Sequence, residues 1–279
     1  MRSACKKSLQ VTVDLFIIFA AAILSVASIA PEFTRQKQEG NRMELVFIDE
    51  TSDSKFKSYV GLCVAVLNST HYQKVKTGFQ RILRESQWDE SIEFKGAYLF
   101  SAKNGDTEVE VSDRVDICEK VIDLNISNKN ARFRFCYGSV DNAHDQKKAY
   151  MQLLPKLLFK ALPKAKKGGG KDVVAINCDY RSDITSSEIS EVAKPVVDEK
   201  GYVLYEDIVM PNSNFETVGV LYADIVGFLA ARIETISNDS QLFDNIPPEM
   251  LEHNGKIRKL QSSTRIIDKV KRIEWHKIK

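Results

Sequence analysis

The run Leu45-Val46-Phe47-Ile48-Asp49-Glu50 constrains the fold more than any other feature of this chain. In an extended segment successive side chains point to opposite faces, so Leu45, Phe47 and Asp49 share one face and Val46, Ile48 and Glu50 the other. Both faces are apolar until the last pair. A strand of that kind has to be covered on both sides, which places it in the middle of a sheet between layers of helices. It ends in acid, with Thr51-Ser52-Asp53-Ser54 read as a turn behind it.

The segments that follow give the class. Tyr59–Leu67 reads as a second apolar strand, hairpin-paired with the first. Thr70–Arg84 carries Tyr72, Val75, Phe79 and Ile82 at helical spacing. Ile92–Lys95 is a short extended piece before a polar, glycine-containing loop around Lys103–Asp106. A helix through Val115, Cys118, Val121 and Ile122 runs to about Leu124, and a strand covers Arg132–Val140. A helix over Ala149–Leu162 and a basic glycine loop over Lys164–Lys171 lead to Val173–Asp179, again apolar on both faces and again ending in an acid. Ser187–Val197 is a helix, Tyr202–Val209 a strand and Glu216–Ile236 a long helix. Strands that pair early, followed by strands alternating with helices, predict one α/β domain with a mixed sheet over 43–236.

Composition removes several alternatives. At 279 residues, with hydrophobic content of 43% and charged content of 28%, the chain has ample material for a core. The net charge of +2 sets up no global field for nucleic acid or membrane. Cys5, Cys63, Cys118, Cys136 and Cys178 form no CxxC pair, and their odd number indicates neither a zinc ribbon nor a disulfide framework. Reduced core cysteines in a cytoplasmic domain are the reading they favour. His71, His144, His253 and His276 are scattered without ligand spacing. Gly168-Gly169-Gly170-Lys171 lacks the leading glycine and the Ser/Thr of a phosphate loop.

The two ends are set apart from this domain. In residues 1–42, Arg2, Lys6 and Lys7 precede an uncharged apolar run over 15–30 and then Pro31. This is the layout of a signal or anchor, although the run is short for a bilayer span. The alternative is a non-native extension ahead of a start at Met43. Membrane tethering or export therefore depends on that segment alone. Residues 237–279 read as a basic extension in which Lys256, Arg258, Lys259, Arg265, Lys269, Lys271, Arg272 and Lys277 could follow a phosphate backbone. A solvated helix is the plainer reading.

The chemistry lies in the carboxylates. Ligands of open α/β sheets gather at the carboxyl ends of the strands, where Asp49 and Asp179 would meet. Two acids held together force one to protonate unless a cation lies between them. Hard oxygen ligands suit Mg2+ or Mn2+. Asp224 lies on or beside the apolar stripe made by Val220, Leu221, Ile225 and Phe228 of the long helix, where a carboxylate needs a charge or a donor. Gly227, one turn on, would let that helix approach the sheet closely. In Glu93-Phe94-Lys95 the two charged residues share a face, the glutamate suited to ligating a metal and the lysine to offsetting charge on a scissile phosphate. Glu50 joins the set only if the turn rotates it. Asp49 or Asp179 alone can also be read as a turn residue, and Asp224 as a rim residue reaching solvent or a lysine.

Taken together, Phe47-Ile48-Asp49-Glu50 with Ser52, Glu93-Phe94-Lys95-Gly96, Cys178-Asp179, and Ser213 ahead of Leu221-Tyr222-Ala223-Asp224-Ile225-Val226-Gly227 follow a known order. They resemble the bacterial and phage family called domain of unknown function thirty-eight hundred, over about Leu45–Arg232. The resemblance implies a ribonuclease-H-like mixed central sheet flanked by helices and a metal-dependent nuclease or nuclease-derived domain. Carried over residue by residue, it singles out Asp49, Glu50, Glu93, Lys95, Asp179 and Asp224. Thr51, Asp53 and Tyr222 depart from the family's usual Ser, Gly and Gln.

The expectation is a hydrolase that cuts phosphodiester bonds of DNA or RNA at a two-metal carboxylate site, with Asp49, Glu93, Asp179 and Asp224 as metal ligands and Lys95 stabilising charge. Two alternatives stay open. One is a restriction-endonuclease-like nuclease using Asp49 with Glu93-x-Lys95, which would leave Asp179 and Asp224 idle. The other is a ribonuclease-H-like binding protein without catalysis, membrane-tethered or not.

Overall fold

The apolar alternation of the first strand has the consequence expected of it. In the computed structural model, β1 (Met43–Asp53) lies between β2 (Phe56–Asn68), antiparallel to it, and β4 (Val173–Cys178), parallel to it. The structure describes residues 42–53, 56–100, 109–127, 133–141, 143–166, 172–212, 214–237, 255–270 and 273–278. β3 (Arg134–Val140) pairs antiparallel with β2, and β5 (Val203–Leu204) parallel with β4. A sixth strand, β6 (Ile273–Ile278), adds parallel to β3, so the order is β5-β4-β1-β2-β3-β6. The first five strands thus form the mixed sheet expected of a ribonuclease-H-like arrangement.

Helices cover both faces. Leu45, Phe47, Cys63, Ala65 and Leu67 pack with α1 (Ser69–Glu85), α2 (Val111–Ser127), α5 (Val218–Ser237) and α6 (Gly255–Lys269). Val46, Ile48, Leu62, Val64 and Val66 pack with α3 (Gln146–Ala161) and α4 (Ser186–Glu199). The odd and even residues of β1 therefore feed two separate cores. Local signals fix the helix starts. Asn68 accepts from the Thr70 amide, Asp145 from the Lys148 amide, and Thr185 forms a reciprocal capping box with Glu188. Cys63, Cys118, Cys136 and Cys178 are free and buried, in keeping with the core role read for cysteine.

Several expectations need correction. Thr51-Ser52-Asp53-Ser54 is not a turn through Asp53, because β1 continues with Thr51 opposite Gly61 and Ser52 opposite Val60, and its register shifts only between Ser52 and Asp53. The strand read over Tyr202–Val209 is reduced to Val203–Leu204 and one bridge between Asn177 and Val209. It lies at the sheet edge with Val203, Tyr205 and Val209 exposed, so no second layer holds the segment flat.

The helix α6 is not merely solvated. Ile257, Ser263, Ile266 and Ile267 are buried, and Arg265 and Lys269 pair with Glu119, Lys269 also with Asp123 of α2. Those two cations are engaged within the protein. Residues 1–41 and the glycine loops at 103–106 and 168–170 lie outside the described residues. Among the described residues, no helix is long and apolar enough to cross a membrane.

Candidate metal and phosphodiester site

The pairing of β1 with β4 brings the two strand-end acids side by side. Ile48 is in register with Cys178, and the Asp179 amide donates to the Ile48 carbonyl at 2.9 Å. Asp49 and Asp179 are thus the first residues past the last paired rung of two adjacent parallel strands. Asp49 is 7% exposed. α5 crosses the same end of the sheet because glycines permit close approach. A Cβ at Gly227 would lie 3.0 Å from Cys63 Cβ and 3.2 Å from Thr51 Oγ1, and one at Gly219 would meet the Phe47 ring at 2.4 Å. That helix carries Asp224 to Asp49, and the two carboxyl groups hydrogen-bond.

Burial and like charge shape the chemistry of this pair. Burial pushes the Asp49 carboxyl well above its ordinary range, and the charges of Asp224 and Asp179 push it further. Burial also raises Asp224, to about 6, against the opposing effect of the Gly96 amide that donates to its Oδ2 at 2.6 Å. Burial thus drives both carboxyls toward the protonated form, so the pair favours sharing a proton. A Cβ at Gly96 would fall 2.4 Å from Phe228 Cβ, so glycine is what lets that amide reach Asp224.

Lys95, one residue earlier, pairs with Glu93 at 2.8 Å. Burial lowers its pKa, but Glu93, Asp224 and Asp179 outweigh this and leave it raised, a firmly charged ammonium among carboxylates. Five of the six residues singled out in the sequence are thereby brought into one electrostatic cluster: Asp49, Glu93, Lys95, Asp179 and Asp224.

Glu50 is not part of it. With no turn at Thr51, the regular strand keeps Glu50 on the face opposite Asp49, where it forms an ion pair with Arg181. Arg181 also pairs with Asp183 at 2.7 Å, and its guanidinium lies over the Tyr150 ring at 5.3 Å. A cleft of about 310 Å3 opens there, lined by Asp49, Glu50, Tyr150, Asp179 and Arg181 among others. The sequence reading missed Arg181, Asp183 and Tyr150. Arg181 carried a signal, since it follows the strand-end Asp179 by two residues; Tyr150 carried none beyond the apolar stripe of its helix.

Among the described residues, no group of three or more His, Cys, Asp or Glu side chains is arranged to hold a metal ion as it stands. The donor chemistry nevertheless suits a hard cation. Carboxylate groups from the ends of β1 and β4 and from α5 act on one another there, and hard oxygen donors of that kind match Mg2+ or Mn2+ better than a soft metal.

No family model matches this chain, and no curated protein matches it. Among solved structures it is similar to the ribonuclease H2 from Pyrococcus horikoshii OT3, at 11% sequence identity and a TM-score of 0.34, over 82% of this chain and 99% of that one.

Proposed function

We propose that the protein is a divalent-metal-dependent nuclease that hydrolyses phosphodiester bonds at the Asp49–Asp179–Asp224 cluster. The observation that carries this reading is the hydrogen bond between Asp49 and Asp224, with Asp179 beside them. Three acids from three separate elements, crowded at a sheet end, cost stability that an ordinary fold has no reason to bear. Mg2+ or Mn2+ held between the carboxylates would remove that cost. A cation bound there would supply fixed positive charge against the charge that develops on a phosphodiester under attack.

The chain's own residues do the rest. Asp49, Asp179 and Asp224 would hold the cation, and the Gly96 amide keeps Asp224 oriented. Glu93 ligates or orients the attacking water. Lys95, kept charged by its acidic neighbours, offsets the negative phosphate. Glu50 has no ligand role and acts through Arg181.

The test is hydrolysis of labelled DNA and RNA strands by the purified chain with Mg2+ or Mn2+. Asp49→Asn and Asp224→Asn abolish it. Hydrolysis unchanged in both variants overturns the proposal, and hydrolysis lost in Asp49→Asn but kept in Asp179→Asn and Asp224→Asn points instead to a restriction-endonuclease-like core.

A further inference from the structure

The turn that follows β4 has features that structural need does not account for. Tyr180 comes directly after Asp179, lines the cleft and is 56% exposed. Among the described residues, no ring contact or side-chain hydrogen bond engages it. Val209 is also exposed, its carbonyl accepting from the Cys178 amide two residues before Tyr180. An exposed aromatic ring next to a half-buried acid contributes little to folding, since its apolar face stays in water.

Arg181 is built differently. Its side chain is only 16% exposed, held between Glu50 and Asp183 and laid over the Tyr150 ring. Glu50 is as buried as Arg181, whereas the Asp183 side chain is 48% exposed. A phosphate entering the cleft can take the place of Asp183 on the guanidinium fork while Glu50 and Tyr150 keep the group aimed.

We propose that Tyr180 and Arg181 form a reading site for single-stranded nucleic acid, in which Arg181 grips a backbone phosphate and Tyr180 stacks on an unpaired base. This rests on the reading of the neighbouring acids as a phosphodiester site. The choice of single strands follows from the ring. In a duplex each base face is covered by its neighbour, so a side chain can stack only on a base that is unpaired or splayed out. An exposed tyrosine with no other partner among the described residues suits that role and gives no means of reading groove edges.

Binding decides the matter separately from cleavage. Fluorescein-labelled oligo(dT), oligo(rU) and a duplex of equal length are titrated by anisotropy against the full chain carrying Asp224→Asn, with Mg2+ present. The expected result is preference for single strands, weakened roughly tenfold by Tyr180→Ala and retained in Tyr180→Phe. Arg181→Ala weakens binding and lowers the salt slope by about one. Melting temperature is expected to be unchanged in Tyr180→Ala, since the ring is exposed. Single-strand binding unaffected by Tyr180→Ala, or a duplex bound as tightly as the strands, overturns the inference. If the strands bind through Tyr180 but no metal supports hydrolysis by the wild-type chain, the nuclease reading fails and this one stands.

Discussion

Asp49 at the end of β1 and Asp224 on α5 hydrogen-bond through their carboxyl groups, a contact that two acids make only when one of them holds a proton. Replacing either with a neutral isostere keeps the bond and removes the repulsion. Asp224→Asn is therefore expected to stabilise the metal-free protein at neutral pH and above, on the order of 1–3 kcal/mol. Urea denaturation with a chelator present measures this; a destabilised variant would contradict it.

The pair also sets a pH dependence. Both folded-state pKa values lie above the ordinary 3.8, so the native state binds more protons than the unfolded chain. Their stabilisation is complete below that value and is lost as pH rises through the raised folded-state values, about 6 for Asp224. Metal-free protein should thus lose stability on going from mildly acidic to neutral pH. Asp49→Asn should flatten the profile.

Cation binding should reverse that loss. Mn2+ at about 100 times its dissociation constant stabilises a folded site by about 2.7 kcal/mol. A thermal melt with and without Mn2+ reads this directly, and Asp49→Asn should erase the shift. No shift in the wild-type chain is the outcome expected of a binding protein without catalysis.

Glu50 offers a contrast with its neighbour. Because it faces Arg181 across the strand, Glu50→Gln should leave the Mn2+ shift intact while weakening strand binding through a loosened Arg181. Equal loss of the Mn2+ shift in Glu50→Gln and Asp49→Asn would place both residues on the cation.

Gly96→Ala tests the backbone donor. The added Cβ would meet Phe228 Cβ at 2.4 Å, an overpacking that typically costs about 1–3 kcal/mol. It should also draw the amide away from Asp224 and raise that carboxyl above its value of about 6. Carbon-13 titration of the aspartate carboxyls would follow the change.

The strand-end acids were legible because alternation along β1 and β4 is a local property. Leu45–Ile48 and Val173–Cys178 each declare a strand covered on both faces, and the acid that follows is visible without knowing any partner. Asp224 was legible for a similar reason, as a charge beside an apolar stripe of helical period. Arg181 was not singled out, because its meaning comes from Glu50 and Tyr150, which are remote in sequence. The edge segment Tyr202–Val209 was over-read as strand, since apolar content alone does not tell whether a second layer will cover it.

By itself, then, the sequence determined which faces of β1 are buried and that acids stand at the ends of its central strands, since both follow from short-range periodicity. Only the tertiary structure decided which acids meet. It set β1 in register with β4, let Gly219 and Gly227 lower α5 onto the sheet, and so pressed Asp224 against Asp49. It also kept β1 extended past Thr51, which sends Glu50 to Arg181 on the other face. Those outcomes depend on packing between elements distant along the chain, where a shift of one residue in register reverses every side chain.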